Sequence, residues 1–472
     1  MNDGTALVAH EVGFGKTATM IASAMERKRM GIIQKPMFVV PKSTHSQFQD
    51  QFQELYPGAR ILAPEEGEFS EGNRQRFIGR IATGQWDGVI LTTEQFSAIP
   101  LSPEQEKEWI EKEIRDLEES LYTLEQDDSQ DRTGDTRSAA QKYVEDTITS
   151  HRNRLRELVE LRRKDENAEY FDNLGVDALY VDEADRYKNL PYRTGMGGRG
   201  DNIKGLPNSK SKRAWDMYMK IRYLQKQGGE APAGTFAKTG VVFATGTPVS
   251  NTLAETWTMM RYLQEAELRK RGVHHFDAWA KTFGEVTEDM EQSVTGEYKT
   301  TKRFANFHNL PELAGLFQNV ADIRVIDETP DMQAIRPHLA GGKRQIITSP
   351  ASDDLRAYTA DLQERAHNLE YPPPLGGDNM LKISSDARKA SLDMRMVDGN
   401  AEPNPDGKLV MVARNVARIH AMEAPVKGVQ LVFLDIGTPK GAEESQTDEQ
   451  IEASAEKGEQ LTEDEQLSLI HI

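Results

Sequence analysis

"ALVAHEVGFGKTATMI", residues 6–21, joins an apolar run to a glycine-broken turn, a Lys-Thr pair and a helix-spaced apolar stripe. Read physically, a strand over Ala6–Ala9 enters a turn at Gly13 and Gly15. A helix beginning near Lys16 then turns its positive dipole end toward that turn. Converging N–H groups there suit phosphate oxygens. Lys16 is placed to neutralise the β and γ phosphates, and the Thr17 hydroxyl to hold Mg²⁺. The usual phosphate-loop pattern is G-x-x-x-x-G-K-[ST], and His10 stands where its first glycine belongs. A short G-x-G-K-T string also arises by chance in a chain of this length, so the reading needs an independent partner.

That partner is Asp182-Glu183, directly after the apolar run "ALYV". An acidic pair at the carboxyl end of a parallel strand points into the crevice where α/β sheets bind ligands. Asp182 can hold Mg²⁺ there and Glu183 can polarise an attacking water. Further short apolar runs, "MFVV" at 37, "GVILTT" at 88 and "GVVFATGT" at 240, read as strands buried on both faces. The expected class is α/β, a layered parallel-sheet lobe followed by the start of a second one. Met20, Ile21 and Ala24 form the apolar stripe of the first helix.

Residues 101–170 differ in kind. Ile110, Ile114, Leu117, Leu121 and Leu124 are spaced 4, 3, 4, 3, and Val144, Ile148, His151, Leu155 and Leu158 repeat the rhythm after a polar break. This predicts an antiparallel helical hairpin inserted into a lobe spanning 1–265, with His151 a seam residue and not a ligand. Residues 266–343 read as helical elements bridging two lobes. Regular structure is expected to return at "RQIITS", 344–349, and in 408–436, where a helix stripe (Leu409, Val412, Val416, Ile419) precedes strand-like "VQLVFLDI". The second lobe is thus expected over 344–441 and an acidic, disordered tail over 442–472.

Composition narrows the class further. The chain has 472 residues, 37% hydrophobic, which suits a buried core and about three domains at roughly 150 residues each. There is no cysteine, so disulfides and thiolate zinc sites are excluded. No run of about 18 apolar residues and no signal-peptide pattern is present, and a cytoplasmic protein is expected. The formal net charge is -18, but residues 442–466 hold ten acids and one Lys and so supply half of it. The basic stretch 193–213, "RTGMGGRGDNIKGLPNSKSKR", reads as a flexible loop able to reach a nucleic-acid backbone or simply as a solvated one. The His274-His275 pair lacks further ligands at useful spacing. "YPPP" at 371 is not a methylase signature.

Five segments, "HEVGFGKT", "FVVPKSTHSQF", "VILTTEQF", "LYVDEADRYKN" and "ATGTPVSNTLAETWTMMRYL", closely resemble motifs I, Ia, Ib, II and III of Swi/Snf-type superfamily 2 helicases, in that order. That family commonly has Asp where this chain has His10. The resemblance implies a RecA-like P-loop NTPase fold for the lobes, with ATP and Mg²⁺ as cofactors and Lys16 and Glu183 catalytic. Gly13, Gly15, Lys16, Thr17 and Asp182 would bind nucleotide, with the metal on Thr17 and Asp182. Thr245, Gly246, Thr247 and Asn251 would couple nucleotide state to nucleic acid, and Glu255 follows on the next helix. Motif II ends in Asp185 where the family more often has His. With "ISSDARKASLDMRMV" and the two later apolar segments, the chain is more particularly similar to the helicase part of phage and mobile-element helicase-methylase polypeptides. The implied partners are double-stranded DNA and a methylase domain of the same full-length protein.

The family's second lobe carries a motif VI arginine, and no arginine follows Arg418. Little room precedes motif I for an adenine-reading segment. A fragment of a longer protein is therefore expected, and the closing "LSLIHI" is given no functional weight. The main expectation is a DNA-translocating ATPase. Its alternative is a non-catalytic nucleotide- or DNA-binding scaffold within a restriction or antirestriction assembly.

Overall fold

A computed structural model describes residues 4–65, 67–70, 72–128, 145, 148–156, 169–192, 194, 196, 203–206, 211–228, 240–250, 252–292, 298–326, 329–335, 339–369, 377–434 and 436. The chain divides into two compact units, residues 1–289 with 301–336, and residues 290–300 with 337–472.

In the first unit the five expected apolar runs become strands: β1 (Thr5–His10), β2 (Pro36–Val40), β4 (Gly88–Thr92), β5 (Ala178–Asp182) and β6 (Gly240–Ala244). Two further strands extend the sheet, β3 (Ile61–Leu62) and β9 (Ala321–Arg324). The order is β3-β4-β2-β5-β6-β1-β9, and every pairing is parallel. Alternate residues reach opposite faces, as the period of two requires. Leu7, Met37, Val39, Leu91, Val181 and Phe243 join the core on one side, while Val8, Phe38, Val40, Ile90, Tyr180 and Val242 join that on the other.

Helices supply the cover. α1 (Lys16–Arg29) buries the expected stripe Met20, Ile21 and Ala24, and α2 (His45–Leu55) adds Phe48 and Phe52 to the same side. On the opposite side lie α3 (Arg74–Thr83), α4 (Thr93–Ser97), opened by a Thr92–Gln95 capping box, and α6 (Lys212–Gly228). Between α4 and α6, the insert contributes α5 (Pro103–Asp128) and a helix over 148–156. Ile110, Ile114, Leu117 and Ile148 form one seam, with Leu155 packed against it. The His151 ring stacks on Trp215 at 5.7 Å. Leu121, Leu124, Val144 and Leu158 lie outside the residues whose side chains are described.

Residues 266–343 depart from the helical bridge expected. After α7 (Ala254–Leu263), α8 (Glu265–Lys270) and α9 (Phe276–Phe283) come two paired strands, β7 (Gly284–Gln292) and β8 (Tyr298–Phe307). Then α10 (Leu310–Gln318) leads into β9, so the main sheet takes its seventh strand from this segment, before α11 (Pro330–Ile335). The basic stretch is not all loop either. Lys204 N donates to Lys302 O at 2.9 Å and Phe304 N to Lys204 O at 2.8 Å, which adds a short parallel bridge beside β8.

The second unit contains α12 (Asp353–His367), α13 (Met380–Leu392) and α14 (Lys408–Glu423). Arg365 ties the first two by a two-pronged bond to Asp378 and a third to Asp386. The expected helix at 409–419 is present as α14. The described residues of "RQIITS" and "VQLVFLDI", however, are in no strand, and Ile346, Val429, Leu431 and Phe433 are exposed. Apolar content favours a strand only where a ladder partner exists, and none pairs with them among the described residues. The acidic tail and "YPPP" lie outside the described residues. No described helix is long and apolar enough to cross a membrane.

Candidate nucleotide site

β1 ends at His10 and α1 begins at Lys16, so residues 11–15 form the whole turn. Gly13 (φ 98°) and Gly15 (φ 74°) both take the left-handed conformation that side chains disfavour. At Gly15 the constraint is purely conformational, because an added Cβ would meet nothing within 4 Å. Gly15 is also the helix N-cap and brings no side-chain acceptor, which leaves the first-turn N–H groups available to an anion. The Lys16 ammonium donates to the His10 carbonyl at 3.1 Å, closing the turn on itself.

At the end of β5, Asp182 is only 9% exposed. Burial pushes its carboxyl above the ordinary range, against the pull of the Lys16 charge. Glu183 is also raised, first by burial and then by the neighbouring Asp182 and Asp185 charges. Its backbone sits at φ 48°, ψ 54°, left-handed for a non-glycine residue. Strain of this kind is characteristic of functional positions.

The end of β6 meets both segments. Thr245 is fully buried, and its hydroxyl donates to Asp185 Oδ1 at 3.1 Å while accepting from Thr247 N at 3.1 Å. A Cβ on Gly246 would stand 3.6 Å from Lys16 Nζ and 3.7 Å from the His10 carbonyl oxygen. Further along, Ser250 N donates to Glu255 Oε2 at 2.7 Å, and Lys188 Nζ reaches both Ser250 Oγ (2.6 Å) and Glu255 Oε1 (3.5 Å). The structure therefore brings Gly13, Gly15, Lys16, Thr17, Asp182, Glu183, Thr245, Gly246 and Thr247 to the adjoining ends of β1, β5 and β6. Asn251 lies outside the described residues.

Asp185, two residues past the acidic pair, accepts from the Thr245 hydroxyl. Two contacts escaped the sequence reading. Lys188 sits inside the quoted "LYVDEADRYKN", one turn past the acidic pair, and that spacing is the signal that could have found it. Asp322 has no such signal: its Oδ2 lies 2.8 Å from His10 Nε2 across 312 residues of chain.

The chemistry of the donors fits Mg-nucleotide. The N–H groups of a left-handed glycine turn at a helix N-terminus and the ammonium beside it suit phosphate oxygens. The Thr17 hydroxyl and the buried Asp182 carboxylate are oxygen donors of the kind a phosphate-bound Mg²⁺ would use, with few protein ligands. Among the described residues no cluster of three or more His, Asp or Glu side chains forms a separate metal cage, and His274-His275 stands as a pair with ring centroids 4.0 Å apart.

A family model described as a probable helicase domain matches residues 1–325. Among curated proteins, the chain is 23% identical over 406 residues to the "Defense against restriction protein B" of Escherichia phage P1. The match covers 77% of this chain and 17% of that protein. Among solved structures, the Sulfolobus solfataricus SWI2/SNF2 ATPase core is similar in two forms, each at 12% identity over 89% of this chain. The complex with dsDNA is covered over 60% of its chain with a TM-score of 0.32, and the core domain over 59% with 0.31.

Proposed function

The chain belongs to the probable helicase domain family, and from that premise we propose that it is the nucleotide-binding part of an ATP-driven DNA translocase of Swi/Snf type. The observation that carries the reading is the meeting of Lys16, the Asp182-Glu183 pair and Thr245-Gly246 at three neighbouring strand ends.

Each residue has a role that follows from its surroundings. The turn's N–H groups and the Lys16 ammonium bind the β and γ phosphates of ATP, and Lys16 leaves the His10 carbonyl to do so. Thr17 and Asp182 would hold Mg²⁺, which, when bound, neutralises charge on the phosphate oxygens. Glu183 orients the attacking water and accepts its proton; a carboxylate raised by burial is the better base for that. Asp185, tied to the Thr245 hydroxyl, links the acidic pair to Thr245–Thr247 and, through Ser250, to Glu255 on α7. Asn251 is assigned to this coupling segment on resemblance alone.

We further assign double-stranded DNA as the track and a methylase domain of a longer polypeptide as partner. The name of the phage P1 relative and the motif resemblance support a place in a restriction or antirestriction system, and the relative's far greater length supports a longer whole. In titrations with a fluorescent Mg-ATP analogue, Lys16→Ala should abolish binding. Equal affinity in wild type and variant would remove the site assignment. In the full-length protein, DNA-stimulated phosphate release should fall by about 10³-fold or more in Glu183→Gln. Nucleotide binding without release under any nucleic acid would make the lobe a scaffold.

A further inference from the structure

His10 closes β1 and opens the phosphate turn, and it is 7% exposed. It is held at two ends. Its carbonyl accepts from the Lys16 ammonium at 3.1 Å, and its ring Nε2 lies 2.8 Å from Asp322 Oδ2 on β9. The next residue adds two more ties to the same part of the chain. Glu11 N donates to Arg324 O at 3.0 Å, and the Glu11 carboxylate accepts from Ile326 N at 2.6 Å. Beyond Glu11 the turn contains two left-handed glycines and the exposed Val12.

The turn is therefore tied to β9 on its β1 side. Of the clamping bonds, the His10–Asp322 bond joins two side chains, so it can be removed without altering the backbone. Asp322 is itself aimed by Arg324, whose Nε stands 3.2 Å from Oδ1.

We propose that Asp322 is a positioning residue for the phosphate turn, fixing His10 and through its carbonyl the resting place of Lys16. The inference builds on the nucleotide reading of residues 10–17, but its first test does not need nucleotide. In nucleotide-free full chain, hydrogen–deuterium exchange of peptides covering residues 8–18 should quicken about tenfold in Asp322→Ala, the loss expected for one charge-assisted bond. Peptides over β5 should keep the wild-type rate. Asp322→Asn, which preserves volume, should show the same loosening in smaller degree.

In fluorescent Mg-ATP titrations Asp322→Ala should bind about tenfold more weakly, and the exchanged pair His10→Asp with Asp322→His should recover affinity and protection together. Wild-type exchange in the 8–18 peptides of Asp322→Ala overturns the proposal, as does loosening shared equally by β5. A wild type that binds no nucleotide, with the turn still loosened by Asp322→Ala, leaves the positioning role standing and removes the nucleotide reading instead.

Discussion

Asp182 is the residue on which stability and the proposed function pull in opposite directions. Its carboxyl is buried and raised, so between the ordinary carboxylate pKa and its own folded value the folded chain binds a proton that the unfolded chain has lost. Folding stability therefore falls as pH climbs through that window and is regained as pH drops. Asp182→Asn should raise the thermal midpoint at neutral pH by about 2 °C, equivalent to about 1 kcal/mol. The gain should shrink as pH falls toward the ordinary carboxylate range, and a pH series of melting curves checks it. A constant gain at all pH values would mean that the ionised carboxylate costs nothing. This residue and Glu183 were legible in the sequence because an apolar run and an acidic pair are contiguous there. His10–Asp322 was not: the bond depends on strand β9 lying beside β1, and no local pattern announces it.

Among the elements, α5 makes the insert more than an appendage. Glu113 accepts from Arg261 on α7 at 2.8 Å, and Asp116 from Arg269 on α8 at 2.7 Å. α7 is the helix that follows Thr245–Thr247, so the insert bears on the segment nearest the proposed site. Arg261 is 11% exposed and also faces Glu265 at 3.7 Å and the Tyr218 and Trp257 rings. Removing the nearer acid in Glu113→Ala should cost on the order of 3 kcal/mol, because a buried guanidinium loses its best partner. Lys226→Ala breaks the outlying pair with Glu108, 44% and 51% exposed, and should cost under about 1 kcal/mol. Urea midpoints separate the two, and equal losses would deny the tie its buried character. The elements also show where apolar runs mislead. β1, β2, β4, β5 and β6 are buried on both faces, so composition reveals them. "ADIR" of β9 buries little beyond Ala321 and is made a strand by backbone pairing with β1. "VQLVFL" has the composition without the pairing, and its side chains face solvent.

For the whole molecule, the seventh strand decides what the sheet shows to its surroundings. An unpaired strand edge is a template on which another chain can dock, and proteins blunt it with short or charged edge strands. Here one border is β3, two residues long, and the other is β9, four residues long and carrying Asp322 and Arg324. The long apolar β1 is thereby kept from the border. A chain stopped at Glu265 would turn β1 into the outer strand, and light scattering should detect self-association that a chain extended through Arg336 lacks. The strand that carries Asp322 thus also serves as a guard against fibre-like growth, so a variant that frees β9 would be expected to lose solubility along with the proposed nucleotide affinity.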